Sequence, residues 1–251
     1  MFDRERTRDA EARYHRFPKL FKAQARLWDL VNVLLDEEGA KFILKDGPAR
    51  DLSLLVGASL AKGMKTFFGV NDLCLAGWGE DALILVRSNV NLLINLAYIL
   101  GDDEAAERAD DFICYSYLER VKYLKMAHDA SSPWKPMYGD EELKARAKRW
   151  GSVGIRDRAE RVPKFHYTQG YSLYSSIEHS DAMALNGYIA AWDEVGPRVN
   201  AGPADDYIDV ALRHSAVVLA DMMMWYMAHF GVDRPDIRDG LRDVVKSLMV
   251  E

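Results

Sequence analysis

Residues 82–100, ALILVRSNVNLLINLAYIL, decide the fold of this chain. Their apolar side chains recur at steps of three and four, which is the period of a helix rather than of a strand. The stretch is apolar enough to suggest a membrane span, yet it contains Arg87, Asn89, Asn91 and Asn95. A central arginine alone costs about 2.5 to 3.5 kcal/mol on insertion scales. The stretch therefore predicts a helix buried inside a protein and no membrane partner.

The same spacing runs through most of the chain, without a convincing set of period-two runs. It predicts an all-α fold, a multi-helix bundle with about nine to eleven helices. The predicted helices cover residues 4–16, 19–36, 50–68, 80–100, 103–129, 140–149, 153–161, 165–179, 181–194, 204–230 and 235–249.

The clearest interruption is SSPWKP at residues 131–136, where two prolines disfavour helix. Either a loop inside one bundle or a domain boundary near residues 131–139 is compatible with it. Because 251 residues suit one large domain, we expect a single helical domain over residues 1–251.

Amino-acid composition restricts which partners and which cellular compartment we expect for the protein. With a net charge of -6, the protein is not expected to have the broad basic surface of non-specific nucleic-acid binders, although a local basic patch is compatible with this charge. Two cysteines are too few for a disulfide framework, and the N-terminus lacks the apolar core of a signal peptide. We therefore expect a cytoplasmic protein.

Motifs for bound cofactors and metals are absent from the sequence. It contains no Gly-rich phosphate loop, no His-Glu-x-x-His zinc motif and no Gly-x-Ser-x-Gly elbow. His179, Asp181, His214, Asp221 and His229 lack the ligand spacing of a di-iron bundle. We expect no cofactor and no metal.

A first polar seam lies in YSLYSSIEHSD, residues 171–181, where Tyr171, Ser175 and His179 are four residues apart. On a helix, the serines and His179 share one side, and Tyr171 lies at its border. A solvated face usually carries Lys, Glu or Arg, whereas this side carries small neutral groups. It predicts either close packing against another helix or a polar cavity.

A second polar seam lies in the opening stretch, where Arg87, Asn91 and Asn95 are also four apart and Tyr98 returns to the same side. A buried arginine is costly unless it is paired and hydrogen-bonded. The hydroxyls and the neutral imidazole of the first seam can accept such bonds. We infer that the two seams face each other or share a pocket.

Three segments carry a family resemblance: residues 60–100, then WGSVGIRDRA at 150–159, then FHYTQGYSLYSSIEHSD at 165–181. Their order and spacing resemble a bacterial family recorded only as a domain of unknown function. That family has an Arg-x3-Glu helix, a Trp-Ser-Ile-Arg-like segment and a Tyr-x3-Ser-x3-His helix. The similarity runs over about residues 55–185, and Asn91 stands where the family usually has Glu.

The resemblance implies an all-helical cytoplasmic protein without a settled activity. Some members look similar to the HEPN helical bundles of defence and toxin systems, several of which are RNases. The family pattern falls on these residues: Arg87, Trp150, Arg156, Tyr171, Ser175 and His179. The Arg-x4-6-His motif of HEPN RNases matches Arg161 to His166, but Pro163 places that match at a helix junction.

Two functions remain open from the sequence. In the first, the protein is a binding or regulatory module, a homo-oligomer or one component of a defence cassette, and its seams stabilise the bundle or hold a small anionic ligand. In the second, it is a metal-independent RNase or phosphodiesterase. His179 is then the general acid/base, and Arg87 stabilises phosphate charge. The binding candidates in either case are Asn91, Trp150, Arg156, Tyr171 and Ser175.

Overall fold

The computed structural model describes residues 2–37, 48–124, 138–179, 189–193, 196–199 and 202–249. Within these residues the chain forms ten α-helices and one pair of short strands. The all-α prediction and the predicted number of helices are therefore confirmed. The helices are α1 (Phe2–Arg16), α2 (Pro18–Glu37), α3 (Pro48–Ala76), α4 (Gly79–Leu100), α5 (Ala105–Leu124), α6 (Asp140–Ser152), α7 (Ile155–Arg158), α8 (Tyr174–Glu178), α9 (Ile208–Phe230) and α10 (Pro235–Met249).

The segment between α7 and α8 departs from ordinary α-helix. A 3-10 helix covers Ala159–Arg161, and a π-helix covers His166–Leu173. The helical prediction for residues 165–179 is right in kind. The α-helical phase assumed there does not apply to the π-helix, whose hydrogen bonds join residues five apart.

The helix predicted for residues 181–194 is wrong where the structure describes it. Ile189–Asp193 is strand β1, which pairs antiparallel with β2, Gly196–Val199. Gly196 has φ +121°, a conformation that glycine adopts without steric cost, and Pro197 has no amide hydrogen to donate within a helix. Residues 181–188 and 194 of that prediction, 125–129 of the helix predicted for 103–129, and the interruption predicted at 131–136 lie outside the described residues.

Three helices form the centre of the bundle, because α3, α4 and α9 each pack against the other two. Their approach is close: a methyl group on Gly63 of α3 would lie 2.7 Å from Met222 of α9. Asn89 of α4 is fully buried there and donates a hydrogen bond to the Gly63 carbonyl at 3.0 Å. Around this centre, α2 packs on α9 and α10, and α6 packs on α5.

Helix α4 is the described helix that is long and apolar enough to cross a membrane, and half of its most apolar window is buried. The core helix of a soluble protein has the same length and composition. Fully buried apolar residues run along it: Val86, Val90, Leu93, Ile94 and Ala97. Its other sides contact α5 and the segment that follows α6.

Candidate functional site

Arg87 links the two polar seams. Its guanidinium forms an ion pair with Glu178 of α8 and lies over the ring of Tyr171, 4.8 Å from the ring centroid. The Arg87 side chain is 17% exposed and that of Glu178 is 35% exposed. The structure therefore brings together Arg87 and Tyr171, two of the residues chosen from the sequence.

The partner of Arg87 comes from a different helix than the family pattern suggests. Asn91, one turn further along α4, is exposed. The carboxylate that pairs with Arg87 belongs to Glu178, on the facing helix. Arg87 therefore has a counter-charge although residue 91 is an asparagine.

Arg158 is the residue of this site that sequence reasoning missed. Its guanidinium stacks on the ring of Trp150 at 4.1 Å, and it donates to Asn95 Oδ1 at 3.1 Å and to the Trp150 carbonyl at 2.7 Å. No carboxylate among the described residues pairs with it. Burial lowers the pKa of Arg158, and nearby tyrosines, including Tyr171, oppose that shift.

Tyr171 therefore connects two guanidinium groups, since it lies under Arg87 and within electrostatic reach of Arg158. The Nε atoms of both arginines are buried without a hydrogen-bond partner among the described residues. We call Arg87, Asn95, Arg158 and Tyr171 the arginine seam. It has two cations and, from Glu178, one paired anion.

Trp150, predicted as a binding residue, is only 3% exposed. Its ring packs against Phe112, with 4.8 Å between centroids, and against Tyr98, at 5.6 Å. The free face supports the Arg158 guanidinium. Trp150 thus positions Arg158 and does not reach solvent.

The remaining predicted residues, Arg156, Ser175 and His179, are not part of the arginine seam. Arg156 is exposed, two residues before Arg158 on the one-turn helix α7. Ser175 is half-buried, and its carbonyl accepts the backbone amide of His179 at 3.0 Å. His179 is exposed, and its imidazole has no hydrogen-bond partner among the described residues.

A second polar cluster joins the π-helix and α8 to α9. Tyr174 Oη is 3.0 Å from His214 Nδ1, and His214 Nε2 is 3.1 Å from His166 Nδ1. His166 Nε2 is in turn 2.8 Å from Asp221 Oδ2. We call these four side chains the histidine relay. Tyr174, His166 and His214 are buried, while the Asp221 side chain is 35% exposed.

The hydrogen bonds of the relay run in one direction when both imidazoles are neutral. His166 donates to the Asp221 carboxylate, so its Nδ1 accepts the N–H of His214, whose own Nδ1 accepts the Tyr174 hydroxyl. Burial lowers the pKa of His214 to about 3, and the neighbouring His166 adds to that effect. Burial also raises the pKa of Tyr174.

Gly170 allows the π-helix to lie against this relay. A methyl group at residue 170 would approach His214 Cε1 to 2.5 Å and Val90 to 2.8 Å. Sequence reasoning treated His214 and Asp221 only as metal candidates. Their separation of seven residues puts both on one face of the otherwise apolar α9, and that signal points to the relay.

Metal ligation finds no support in the part of the chain that the structure describes. No three His, Cys, Asp or Glu side chains are grouped there in a way that holds an ion. Asp181, one of the ligands considered, lies outside the described residues.

Residues 54–195 match a family described as a family of unknown function, DUF5677. No curated protein and no solved structure matches the chain. The matched region contains the whole arginine seam and the π-helix, whereas His214 and Asp221 follow it on α9. Since the match covers more than half of the 251 residues, the chain belongs to the DUF5677 family.

Proposed function

We propose that this protein is a binding or regulatory module that holds a small anionic ligand at the arginine seam. The observation that carries the proposal is the state of Arg158, a partly buried guanidinium with no carboxylate partner among the described residues. Buried charges in proteins are normally paired. An anion beside Arg158 supplies the missing counter-charge.

The chemistry of the seam favours an oxyanion. A guanidinium has five N–H donors, and its planar fork matches carboxylate and phosphate oxygens. Arg158 is held in place from below by Trp150 and at one side by Asn95. Arg87 lies over Tyr171, the tyrosine that is also within electrostatic reach of Arg158. Glu178, the carboxylate partner of Arg87, is accessible enough for a ligand to displace it.

Calorimetric titration with inorganic phosphate, pyrophosphate and citrate tests this proposal. We expect at least one of them to bind and Arg158→Gln to weaken that binding about tenfold or more, because it removes a charge-assisted contact. Lys148→Gln is the matched control, since Lys148 is exposed on the neighbouring α6 and its loss changes the net charge equally. Equal affinity of the wild type and Arg158→Gln for every anion would contradict the proposal.

The second candidate is metal-independent cleavage of RNA. It is supported by the place of His179, which is exposed and directly follows Glu178, the partner of Arg87. An exposed imidazole next in sequence to the carboxylate partner of an arginine offers an acid/base group, and the arginine offers a phosphate-stabilising charge. RNA cleavage and cell toxicity, compared for the wild type, His179→Ala and Arg87→Ala, test it. Equal activity in three folded proteins excludes this active site.

The proposal also includes a cytoplasmic location, a link to defence systems and self-association. The cytoplasmic location is supported by the two buried free cysteines, and the link to HEPN-like defence systems by the family resemblance. Self-association is supported by an apolar groove of about 600 Å³ beside α3, where Phe68 is 39% exposed. Light scattering measured over a range of protein concentrations tests for a homodimer.

A further inference from the structure

A second cavity lies between α3, α4 and α5, away from Arg87 and Tyr171. It encloses about 270 Å³. Its apolar wall is formed by aliphatic and aromatic side chains: Leu55, Leu92, Phe112 and Ile113. Lys62, Ser116 and Arg120 line it and are exposed, which places the solvent-facing mouth on their side.

The mouth is basic although the protein as a whole is acidic. Lys62 and Arg120 have no ion-pair partner among the described residues, in a chain whose net charge is -6. Two free cations at one opening create a local positive potential that attracts anions. The charge at the mouth therefore complements a negatively charged head group.

Hydroxyl groups also line the cavity. Ser59 is only 5% exposed and makes no hydrogen bond to another described residue. Ser116 and Tyr117 also line the cavity. Small-molecule sites combine a mainly apolar lining with a few polar groups in this way.

We propose that this cavity binds a small amphipathic carboxylic acid, with its apolar body against Phe112 and Ile113 and its carboxylate at Lys62 and Arg120. At about 30 Å³ per heavy atom, the liquid volume of one water, the cavity holds about nine heavy atoms. An alkyl or aromatic acid with about six to eight carbons has this size. The cavity shares no lining residue with the arginine seam.

Octanoate is the probe, and titration calorimetry on the full chain is the measurement. We expect binding in the high-micromolar to millimolar range, as is usual for about ten heavy atoms. The double substitution Lys62→Gln with Arg120→Gln is expected to weaken octanoate binding about three- to tenfold, because it removes both cations at the mouth. Lys22→Gln combined with Lys148→Gln is the matched control, because both lysines are exposed, neither lines this cavity and the pair removes the same charge.

Two further arms separate this site from unspecific adsorption. Octylamine has the same alkyl chain with the opposite charge, and it should bind the wild type at least tenfold more weakly than octanoate does. Ser116→Trp places a large ring at an exposed position of the lining and should abolish octanoate binding while leaving the far-ultraviolet circular dichroism unchanged. Equal binding of octanoate and octylamine, or unchanged binding in either variant, overturns the proposal.

Discussion

At the scale of single residues, Arg158 shows how ligand binding and stability compete in this protein. Its guanidinium is partly buried, stacked on Trp150 and hydrogen-bonded to neutral oxygens. Burying a charge without a counter-charge is unfavourable, and replacing such a group with an apolar one of similar volume is often neutral or stabilising. Arg158 is thus costly to the fold unless a ligand is bound.

We therefore expect Arg158→Met to change the free energy of unfolding by less than about 1 kcal/mol, while anion binding is lost. Arg149→Met is the contrasting variant. Arg149 donates to both carboxylate oxygens of Asp111, at 2.9 and 2.7 Å, and the Asp111 side chain is 9% exposed. Its loss should lower the free energy of unfolding by about 1 to 2 kcal/mol. Urea denaturation of both variants without ligand measures the difference.

Two glycines should respond to the same substitution with opposite signs. Gly170→Ala places a methyl group 2.5 Å from His214 Cε1 and should lower the free energy of unfolding by about 1 to 3 kcal/mol. Gly151→Ala, on α6, meets Tyr115 at an ordinary 3.5 Å and should raise it by about 0.5 to 1 kcal/mol. Thermal unfolding of the pair gives the signs, and a stable Gly170→Ala protein would contradict the packing described here.

Helical spacing predicts which residues share a face of a helix, whereas packing decides what that face meets. The four-residue step groups Arg87 with Asn91 and Asn95 on α4, and packing then brings Arg87 to Tyr171 while Asn91 stays exposed. Spacing could not choose between Arg156 and Arg158, because a helix of four residues has too little amphipathic pattern to set its orientation. Packing against Trp150 makes that choice.

At the scale of elements, the histidine relay joins the π-helix and α8 to α9. Because the pKa of His214 is lowered to about 3, its imidazole stays neutral in the folded protein over the mildly acidic range. In the unfolded chain the same imidazole binds a proton below its ordinary pKa of 6.5. The stabilisation is therefore present above pH 6.5 and is lost as the pH falls below it.

We expect the free energy of unfolding to fall by up to about 1.4 kcal/mol per pH unit between pH 6 and pH 4.5. His214→Gln removes this titration, so the variant should be less stable at neutral pH and show a flatter slope over that interval. Urea denaturation at a series of pH values measures both slopes. Equal slopes would mean that His214 is not held neutral by the fold.

The strand pair shows why one element prediction failed. Residues 189–193 are rich in alanine and fit a helical spacing as well as a strand, so local pattern does not decide between them. The reversal at Gly196 and the pairing of Asp193 with Gly196 settle the conformation. Such pairing depends on two segments together and is invisible to a window that covers one.

At the scale of the whole molecule, the two cysteines test the prediction of a single domain. Cys74 lies in the main core and Cys114 in a smaller cluster with Leu143 and Ala147, and both are fully buried. Burial raises the pKa of Cys74 to about 12 and that of Cys114 to about 11, so neither thiol is reactive while the protein is folded.

In one cooperative domain, both thiols should become reactive together as urea increases. Mass spectrometry after a short alkylation pulse, with Cys74→Ala and Cys114→Ala as single-thiol controls, gives the two midpoints. A midpoint for Cys114 at clearly lower urea would show that α5 and α6 open on their own. That result would contradict a single cooperative domain but would not support a boundary near residues 131–139, because α5 and α6 lie on either side of it.

The imidazole of His214 bonds to both ends of one short segment, His166 at the start of the π-helix and Tyr174 just beyond its last residue. A ring that holds residues eight apart makes the intervening backbone open only as a unit. The amide hydrogens of residues 166–174 should therefore exchange with deuterium with one common free energy of opening. Tyr171 lies between the two attachment points, so its contact with Arg87 forms or breaks with this unit, and the affinity for a ligand that needs the contact includes the free energy of closing it.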